Sequence, residues 1–344
     1  MQNESTGNLP SQHGKEEWEM TTDRQPPGSK HFRVQQLADG IYAVIHIDGG
    51  AAISNAGIVD LGNRTLVYDS LFTPHAAEDL RTTAEALAGR PIDAVINSHW
   101  HNDHIWGNQV FSANTDIIST NETRRLIIAT SGHGAYDSFL ANAEVNLEST
   151  QAAFQATEDK AERRELALWI DYHRSTVEAK PILRVRAPNL TFDQRLAFHG
   201  TDRSAELIPF VGGHTESDAV LFLPQEGIAF MSDLLFIGHH PYLGGGDPDR
   251  LHHILEEVSD LAPKLLVPGH GPVGTADSLK QMGQYVSTLD RLAHKMVEDG
   301  EAEEKIDEMD VPEPFDEWLF SAFFPGNMHF LYQRRLKEQG DGVV

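Results

Sequence analysis

One short segment carries an unusual density of metal-binding side chains. Residues 99–104 read His-Trp-His-Asn-Asp-His, so three imidazoles and one carboxylate fall within six consecutive positions. The segment follows an apolar run, residues 92–96, that predicts a buried strand. Ligands of open α/β sheets bind at the carboxyl ends of strands, and imidazole and carboxylate are the ligands that zinc-like ions prefer. The sequence therefore predicts a metal site here rather than a polar surface loop.

The composition limits both the metal chemistry and the partners. The chain contains no cysteine, so it has no disulfide and no thiolate nucleophile, and any metal ion must be held by His, Asp or Glu. Its 27 Lys and Arg residues face 52 Asp and Glu residues, and the net charge of -25 opposes binding to nucleic acid and to anionic membranes. We therefore expect a small-molecule substrate as the partner, and neither nucleic acid nor membrane.

The domain organisation follows from length and local composition. A chain of 344 residues with 40% hydrophobic residues can form one large α/β domain or two small ones. Residues 1–31 are polar and predict a flexible tail, and residues 32–344 are predicted to form a single domain. The tail lacks the apolar segment of a secretory signal, and no apolar run approaches the ~20 residues that span a bilayer. These features predict a cytoplasmic protein.

Strand patterns dominate the first part of the domain. Apolar runs at residues 41–45, 56–60 and 65–69 predict an antiparallel meander. A helix is predicted at residues 74–87, before the strand that leads into the histidine segment. The order of elements is thus β-rich at first and then alternates between strand and helix.

Two later segments interrupt the strand pattern. Residues 121–189, approximately, contain few strand signals and predict a helical insertion, with Asn121 as the N-cap of its first helix. Trp169 and His173 share an apolar helix face in this insertion, so we expect His173 to pack or hydrogen-bond in the core, and Trp169 either to pack there or to belong to a helical lid over the active site. The aromatic-rich extension of about residues 300–344 is expected to complete the core or a contact in a homo-oligomer, although its part around residues 323–329 is within possible reach of the site.

Three later strands also lead into metal-binding side chains. Strands are predicted at residues 206–211, 227–231 and 264–267, and each is followed closely by His or Asp. The candidate ligands are His99, His101, Asp103, His104, His214, Asp233 and His270. Seven ligands exceed the needs of one ion, so the sequence predicts two adjacent ions. The first ion would take His99, His101 and His214, the second Asp103, His104 and His270, with Asp233 between them.

These motifs resemble those of the metallo-β-lactamase superfamily. Residues 99–104 match its HxHxDH signature, and the downstream matches are His214 in Gly-Gly-His-Thr, Asp233 in Ser-Asp-Leu and His270 in Pro-Gly-His-Gly. The resemblance extends over about residues 32–272. It implies an α/β fold, the αββα sandwich of two mixed sheets with helices outside, and a dinuclear metal site at one edge. It also implies zinc as the expected metal, with iron or manganese in some branches.

Several positions refine this resemblance. Asp69 falls where the family has an early strand-end aspartate; from the residues alone it either caps the next turn or orients a metal ligand. The absence of cysteine is similar to the Asp-bridged glyoxalase II and lactonase branches rather than to the best-known zinc β-lactamases. His104 is followed by Ile-Trp-Gly-Asn instead of paired glycines, which disfavours glutathione thioesters. Substrate selection is expected in the helical insertion and in the loop at residues 239–242.

The predicted activity is hydrolysis of an ester, lactone, thioester or β-lactam by a metal-bound hydroxide. Asp103 is expected to orient the nucleophile, and His240 or Tyr242 either donates a hydrogen bond to the oxyanion or only shapes its loop. The alternative is an iron-dependent oxidoreductase acting on thiols or persulfides. A phosphodiesterase is disfavoured by the net charge, and a non-catalytic metal-binding module by the complete ligand set.

Overall fold

The computed structural model describes residues 28–132 and 135–341. The predicted tail, residues 1–31, lies outside the described residues as far as residue 27. Its described end is anchored to the domain: Ser29 Oγ donates to Asp79 at 2.8 Å, and the Ala51 N–H donates to the buried His31 ring at 3.0 Å. The folded part therefore begins before residue 32. None of the described helices is both long and apolar enough to cross a membrane.

The first sheet contains seven strands in chain order: β1 (Phe32–Ala38), β2 (Ile41–His46), β3 (Ala56–Asp60), β4 (Thr65–Tyr68), β5 (Ala94–Ile96), β6 (Asp116–Thr120) and β7 (Leu190–Phe192). Strands β1 to β4 form the predicted antiparallel meander, whereas β4 to β7 pair in parallel. The parallel half places the carboxyl ends of β4, β5 and β6 at one edge.

The second sheet has five strands, ordered β12-β11-β10-β9-β8: β8 (Leu196–His199), β9 (Ser204–Val211), β10 (Ser217–Leu223), β11 (Ile228–Phe236) and β12 (Leu265–His270). Strands β8 to β11 are antiparallel, and β12 pairs with β11 in parallel. Both sheets are therefore mixed, as the resemblance implied.

Helices surround the two sheets, and four of them pack on their outer faces. They are α1 (Pro74–Ala88), α2 (Asn102–Ile105), α3 (Asn121–Gly132), α4 (Ala135–Ala141), α5 (Ala143–Ala156), α6 (Lys160–Ala179), α7 (Pro248–Asp260), α8 (Ala276–Glu298) and α9 (Phe323–Asp341), with 3-10 helices at Trp106–Val110 and Glu303–Glu308. Helix α1 packs on the first sheet, whereas α7, α8 and α9 pack on the second.

Successive side chains of a strand point to opposite faces of its sheet and so contribute to two different hydrophobic cores. In β2, Ile41, Ala43 and Ile45 face the core between the sheets, where they meet residues such as Phe230 of β11. Val44 points to the opposite face, into the core beneath α1. This period of two is the expected pattern for a strand buried on both faces. The αββα sandwich is thereby confirmed.

The helical insertion lies between β6 and β7 and consists of α3 to α6. The N-cap prediction for its first helix is wrong by one residue. Thr120 Oγ1 accepts the Thr123 N–H at 3.0 Å, which is the capping interaction of α3. Asn121 lies inside the first turn, and its side chain donates to Asp193 at 2.5 Å. Because β6 runs directly into α3, the last strand residue provides the cap.

A packing prediction concerns Gly57, where β3 faces the second sheet. A Cβ atom at this position would overlap the Phe230 ring. We expect Gly57→Ala to lower the free energy of unfolding by about 1–3 kcal/mol, because the rigid core must shift. In the Gly57→Ala/Phe230→Leu double variant the loss should be smaller than the sum of the two single losses, measured by urea denaturation. Simple additivity would contradict this packing.

Candidate metal centre

Four chain segments bring the predicted ligands to one edge of the sandwich. The residues 99–104 segment follows β5, His214 lies in the turn between β9 and β10, and His270 is the last residue of β12. Asp233 differs from expectation, because β11 continues to Phe236 and Asp233 lies inside it. There the register with β12 shifts, and Ser232 has a left-handed backbone with φ of 48°. This irregularity, rather than the end of the strand, directs the carboxylate.

The first cluster contains His99, His101, His214 and Asp233. Their ligand atoms all lie within 4.8 Å of one another. His214 Nε2 is 2.9 Å from His101 Nδ1 and 3.2 Å from Asp233 Oδ2, and His99 Nε2 is 3.9 Å from the same carboxylate oxygen. These atoms face a common point, as ligands of one ion must.

The second cluster contains Asp103, His104 and His270, with ligand atoms again within 4.8 Å of one another. Asp103 Oδ2 lies 3.4 Å from His104 Nε2 and 3.3 Å from His270 Nε2. The other oxygen of Asp233, Oδ1, is 3.1 Å from His104 Nε2 and 3.7 Å from His270 Nε2. Asp233 thus presents one oxygen to each cluster.

The chemistry of this donor set fits divalent cations. His99 Nε2, His104 Nε2 and Asp233 Oδ1 are buried and have no hydrogen-bond partner. His104 Nε2 and Asp233 Oδ1 lie 3.1 Å apart, but their relative orientation does not form a hydrogen bond. In the described part of the chain, the ion-pair partners of Asp103 and Asp233 are all histidines. Buried carboxylates without Lys or Arg need another source of positive charge. The seven side chains can therefore hold metal ions.

Burial and mutual charge set the protonation of the centre. Burial lowers the pKa of His99 well below its usual value and that of His214 to about 3, so both rings are neutral. Burial opposes ionisation of Asp233, but neighbouring histidines, His104 foremost, hold its pKa well below the usual range. Burial also acts against protonation of His104, yet Asp103 and Asp233 raise the pKa of His104 well above normal. A bound cation would replace that proton.

Asp69 orients the ligands rather than merely capping a turn. Its Oδ2 accepts hydrogen bonds from His104 Nδ1 at 2.8 Å, Ser98 Oγ at 2.9 Å and Ser232 Oγ at 2.8 Å, and its Oδ1 accepts the Ser98 N–H at 2.8 Å. The bond to Nδ1 leaves His104 Nε2 free to face the second cluster. Asp69 itself has φ of 61°, an uncommon backbone for this residue.

Two buried residues that sequence reasoning missed hold the ligand loops. Asp218 accepts the His214 N–H at 3.0 Å and the Thr215 hydroxyl at 2.8 Å, which fixes the turn that carries His214. Asn55 donates from Nδ2 to the carbonyls of Pro268 and Gly271, at 2.9 and 2.8 Å, and so fixes both sides of His270. Asp218 follows the Gly-Gly-His-Thr motif closely and could have been suspected, whereas nothing in the sequence links Asn55 to a loop more than 200 residues away.

The two predicted oxyanion donors both line the cavity over the two clusters, but they differ in burial and in partners. The buried His240 ring is 2.9 Å from the Tyr285 hydroxyl through Nδ1 and packs against Trp318. Burial lowers its pKa to about 4, so the ring is neutral. The Tyr285 contact fixes the ring through Nδ1, and the buried Nε2 has no hydrogen-bond partner, so these contacts agree with both roles predicted for His240. Tyr242 is 44% exposed and lines a cavity over the two clusters, with its ring centroid 6.2 Å from that of His101.

The helical insertion and the C-terminal extension contribute to the same cavity. Trp169 and His173 are half-buried and line it. The core position predicted for His173 is wrong, although His173 belongs to neither ligand cluster, whereas Trp169 agrees with the alternative of a helical lid. Tyr172, which the sequence did not single out, lines the cavity beside them, and Asn102 Nδ2 donates to its hydroxyl at 3.4 Å. Its signal was the spacing of three residues from Trp169 on the same helix. Phe323 reaches the site, whereas the His329 ring contacts the acidic side chains of Glu303 and Asp307.

Comparison with known proteins agrees with the fold. The family model described as the metallo-beta-lactamase superfamily matches residues 49–270, more than half of the chain, so the chain belongs to this superfamily. Two similar solved structures are the metallo-beta-lactamases of Pontibacter korlensis (18% identity, TM-score 0.52, covering 74% of this chain and 99% of that chain) and Hirschia baltica (13%, 0.54, 75% and 98%). A third is FIM-1 from Pseudomonas aeruginosa in its mono-zinc form (13%, 0.52, 76% and 97%). At these identities the structures establish the shared fold alone.

A prediction for this centre concerns Gly269, which precedes His270. A Cβ atom at this position would overlap Asp233 Oδ1, so Gly269→Ala must displace the carboxylate that faces both clusters. We expect zinc affinity, measured by competition with a chromophoric chelator, to fall by about 10–100-fold.

The matched control is Gly326→Ala in α9, where the added Cβ would have no heavy atom within 4 Å apart from its chain neighbours and the backbone of its own helix. This variant should bind zinc as the unmodified chain does. Equal zinc affinity of Gly269→Ala and Gly326→Ala would contradict the role assigned to Asp233.

Proposed function

We propose that this chain is a hydrolase that uses two divalent metal ions, with zinc expected first, to cleave a small-molecule carbonyl substrate. Esters, lactones, thioesters and β-lactams are the candidate classes. The observation that carries the proposal is the position of Asp233, which presents Oδ2 to one His cluster and Oδ1 to the other. Such an arrangement suits two ions at one site better than a single ion.

The bound ions would supply Lewis acidity toward the carbonyl oxygen and would lower the pKa of an attacking water. The first ion would be held by His99, His101 and His214, the second by Asp103, His104 and His270, with Asp233 between them. In hydrolysis the water oxygen bonds to the carbonyl carbon, the bond to the leaving O, S or N atom breaks, and a water proton passes to that atom.

The remaining roles fall to residues on the cavity floor and wall. Histidine neighbours, above all His104, overcome the effect of burial and hold the pKa of Asp103 well below its usual range. An ionised Asp103 can orient the water and accept its proton. Tyr242, on the cavity wall, is the proposed hydrogen-bond donor to the carbonyl oxygen. His240 is the second candidate donor, because the Tyr285 hydroxyl lies 2.9 Å from its Nδ1 while its Nε2 has no hydrogen-bond partner.

The test combines metal analysis with a panel of ester, lactone, thioester and β-lactam substrates. The zinc-reconstituted chain should bind two ions, and His101→Ala should bind less zinc and lose about 100-fold or more in kcat/KM, since part of the stabilisation of the developing charge is removed. The matched control is His253→Ala, an exposed histidine of α7 that belongs to neither cluster.

Full hydrolysis by His101→Ala would overturn the proposal. So would a chain that retains iron after expression and consumes oxygen with thiols or persulfides, which is the redox alternative. If the chain hydrolysed phosphodiesters and none of the carbonyl substrates, the proposed substrate class would be wrong.

A further inference from the structure

The size and the lining of the cavity over the metal centre limit which substrates can bind. Its volume is about 370 Å³, within the usual range for small-molecule sites. The floor is polar and includes Asp103, Asp233 and three of the candidate ligand histidines, His101, His214 and His270. The walls are mostly aromatic, with contributions from Phe139, Trp169, Tyr172, Tyr242, Phe320 and Phe323, and they also include His173, His239 and His240. The reacting bond would therefore meet the floor, and the rest of the substrate would contact mainly aromatic rings.

The charged side chains of the lining lie on the cavity floor, where the proposed function also places the two cations. Among the described residues, no lysine or arginine lines this cavity, and its carboxylates belong to Asp103 and Asp233. Arg164 of α6 is exposed and lies outside the lining, although its charge is a minor influence, after burial, on the lowered pKa of His239 in the wall. A substrate carboxylate seated between the aromatic walls would lose its hydration without gaining a cationic partner.

The aromatic walls are held in place by a contact between the insertion and the C-terminal extension. Glu165 of α6 accepts the Phe320 N–H at 2.9 Å and the Ser321 N–H at 3.0 Å. Beside this contact, the Trp169 ring is 5.3 Å from Phe320 and 5.6 Å from Phe323, in edge-to-face geometry. An aromatic group of a substrate that lies against these rings can form edge-to-face or offset-stacked contacts of the same kind.

We propose that the substrate is an uncharged ester or lactone whose aromatic hydrocarbon group packs against the wall formed by Trp169, Phe323 and Tyr242, and that carboxylate-bearing analogues are rejected. The ester or lactone bond rests on the proposed function, whereas the preference for an uncharged aromatic group rests on the cavity alone. The insertion and the extension, which lie outside the ligand clusters, would then determine specificity.

The first experiment compares three γ-aryl-γ-butyrolactones with the zinc-reconstituted full chain: phenyl, 4-carbamoylphenyl and 4-carboxyphenyl. The carbamoyl compound matches the carboxylate in shape but is uncharged. We expect kcat/KM of the two uncharged lactones to agree within about tenfold and that of the carboxylate to be about 100-fold lower. Equal or faster turnover of the carboxylate would overturn the inference.

A binding experiment separates this inference from the proposed function. Calorimetry with the non-hydrolysable ketones 5-phenylpentan-2-one and its 4-carbamoyl and 4-carboxy derivatives should show binding of the uncharged pair and at least tenfold weaker binding of the carboxylate. If these ketones bind as expected but no lactone or ester is hydrolysed, the proposed function fails and the cavity preference stands. If no uncharged ketone binds, the inference is wrong.

A variant can invert the preference. Phe323→Lys places a cation in the wall. In this variant kcat/KM of the carboxylate lactone, and the affinity for the carboxylate ketone, should be at least equal to those of the carbamoyl compounds. The matched control is Leu336→Lys, which adds the same charge at an exposed position of the same helix outside the cavity. Tyr242→Lys, in the loop at residues 239–242, repeats the test if Phe323→Lys fails to fold. Unchanged selectivity in a folded cavity variant would contradict the proposal.

Discussion

The hydrogen bonds of Asp69 link the two sheets at the edge where the metal ligands meet. One carboxylate oxygen accepts from the ligand His104, from Ser98 beside the ligand segment and from Ser232, which belongs to the opposite sheet. Ser232 in turn directly precedes Asp233, whose two oxygens face the two clusters. The relative position of the sheets, the orientation of one imidazole and the placement of the shared carboxylate thus depend on one fully buried side chain.

The sandwich and the segments added to it have different roles. The sandwich positions the ligands through strand ends and irregularities, while its faces provide the hydrophobic cores. The helical insertion and the C-terminal extension form the walls of the cavity and are joined through Glu165. Ligand geometry can therefore persist while the walls vary, which is how one fold serves many substrates. For this chain the walls carry aromatic rings and, among the described residues, no lysine or arginine.

Much of this architecture could be predicted from the sequence, because the ligand motifs are local and the strands have a clear period. The seven side chains predicted as ligands do converge, in the two groups that were expected. Long-range contacts escaped prediction. Periodicity placed Trp169 and His173 on one helix face but not against a cavity, and the bulge that redirects Asp233 inside β11 left no mark in the sequence. Asn55 was missed for the same reason, since its partners lie far along the chain.

The central claim is that Asp233 stands between two metal ions. Anomalous diffraction at the zinc absorption edge from zinc-loaded crystals tests it most directly. We expect two anomalous peaks about 3.5–4 Å apart, one beside Oδ1 and one beside Oδ2 of Asp233. A single peak, or two peaks of which neither contacts Asp233, would contradict the account.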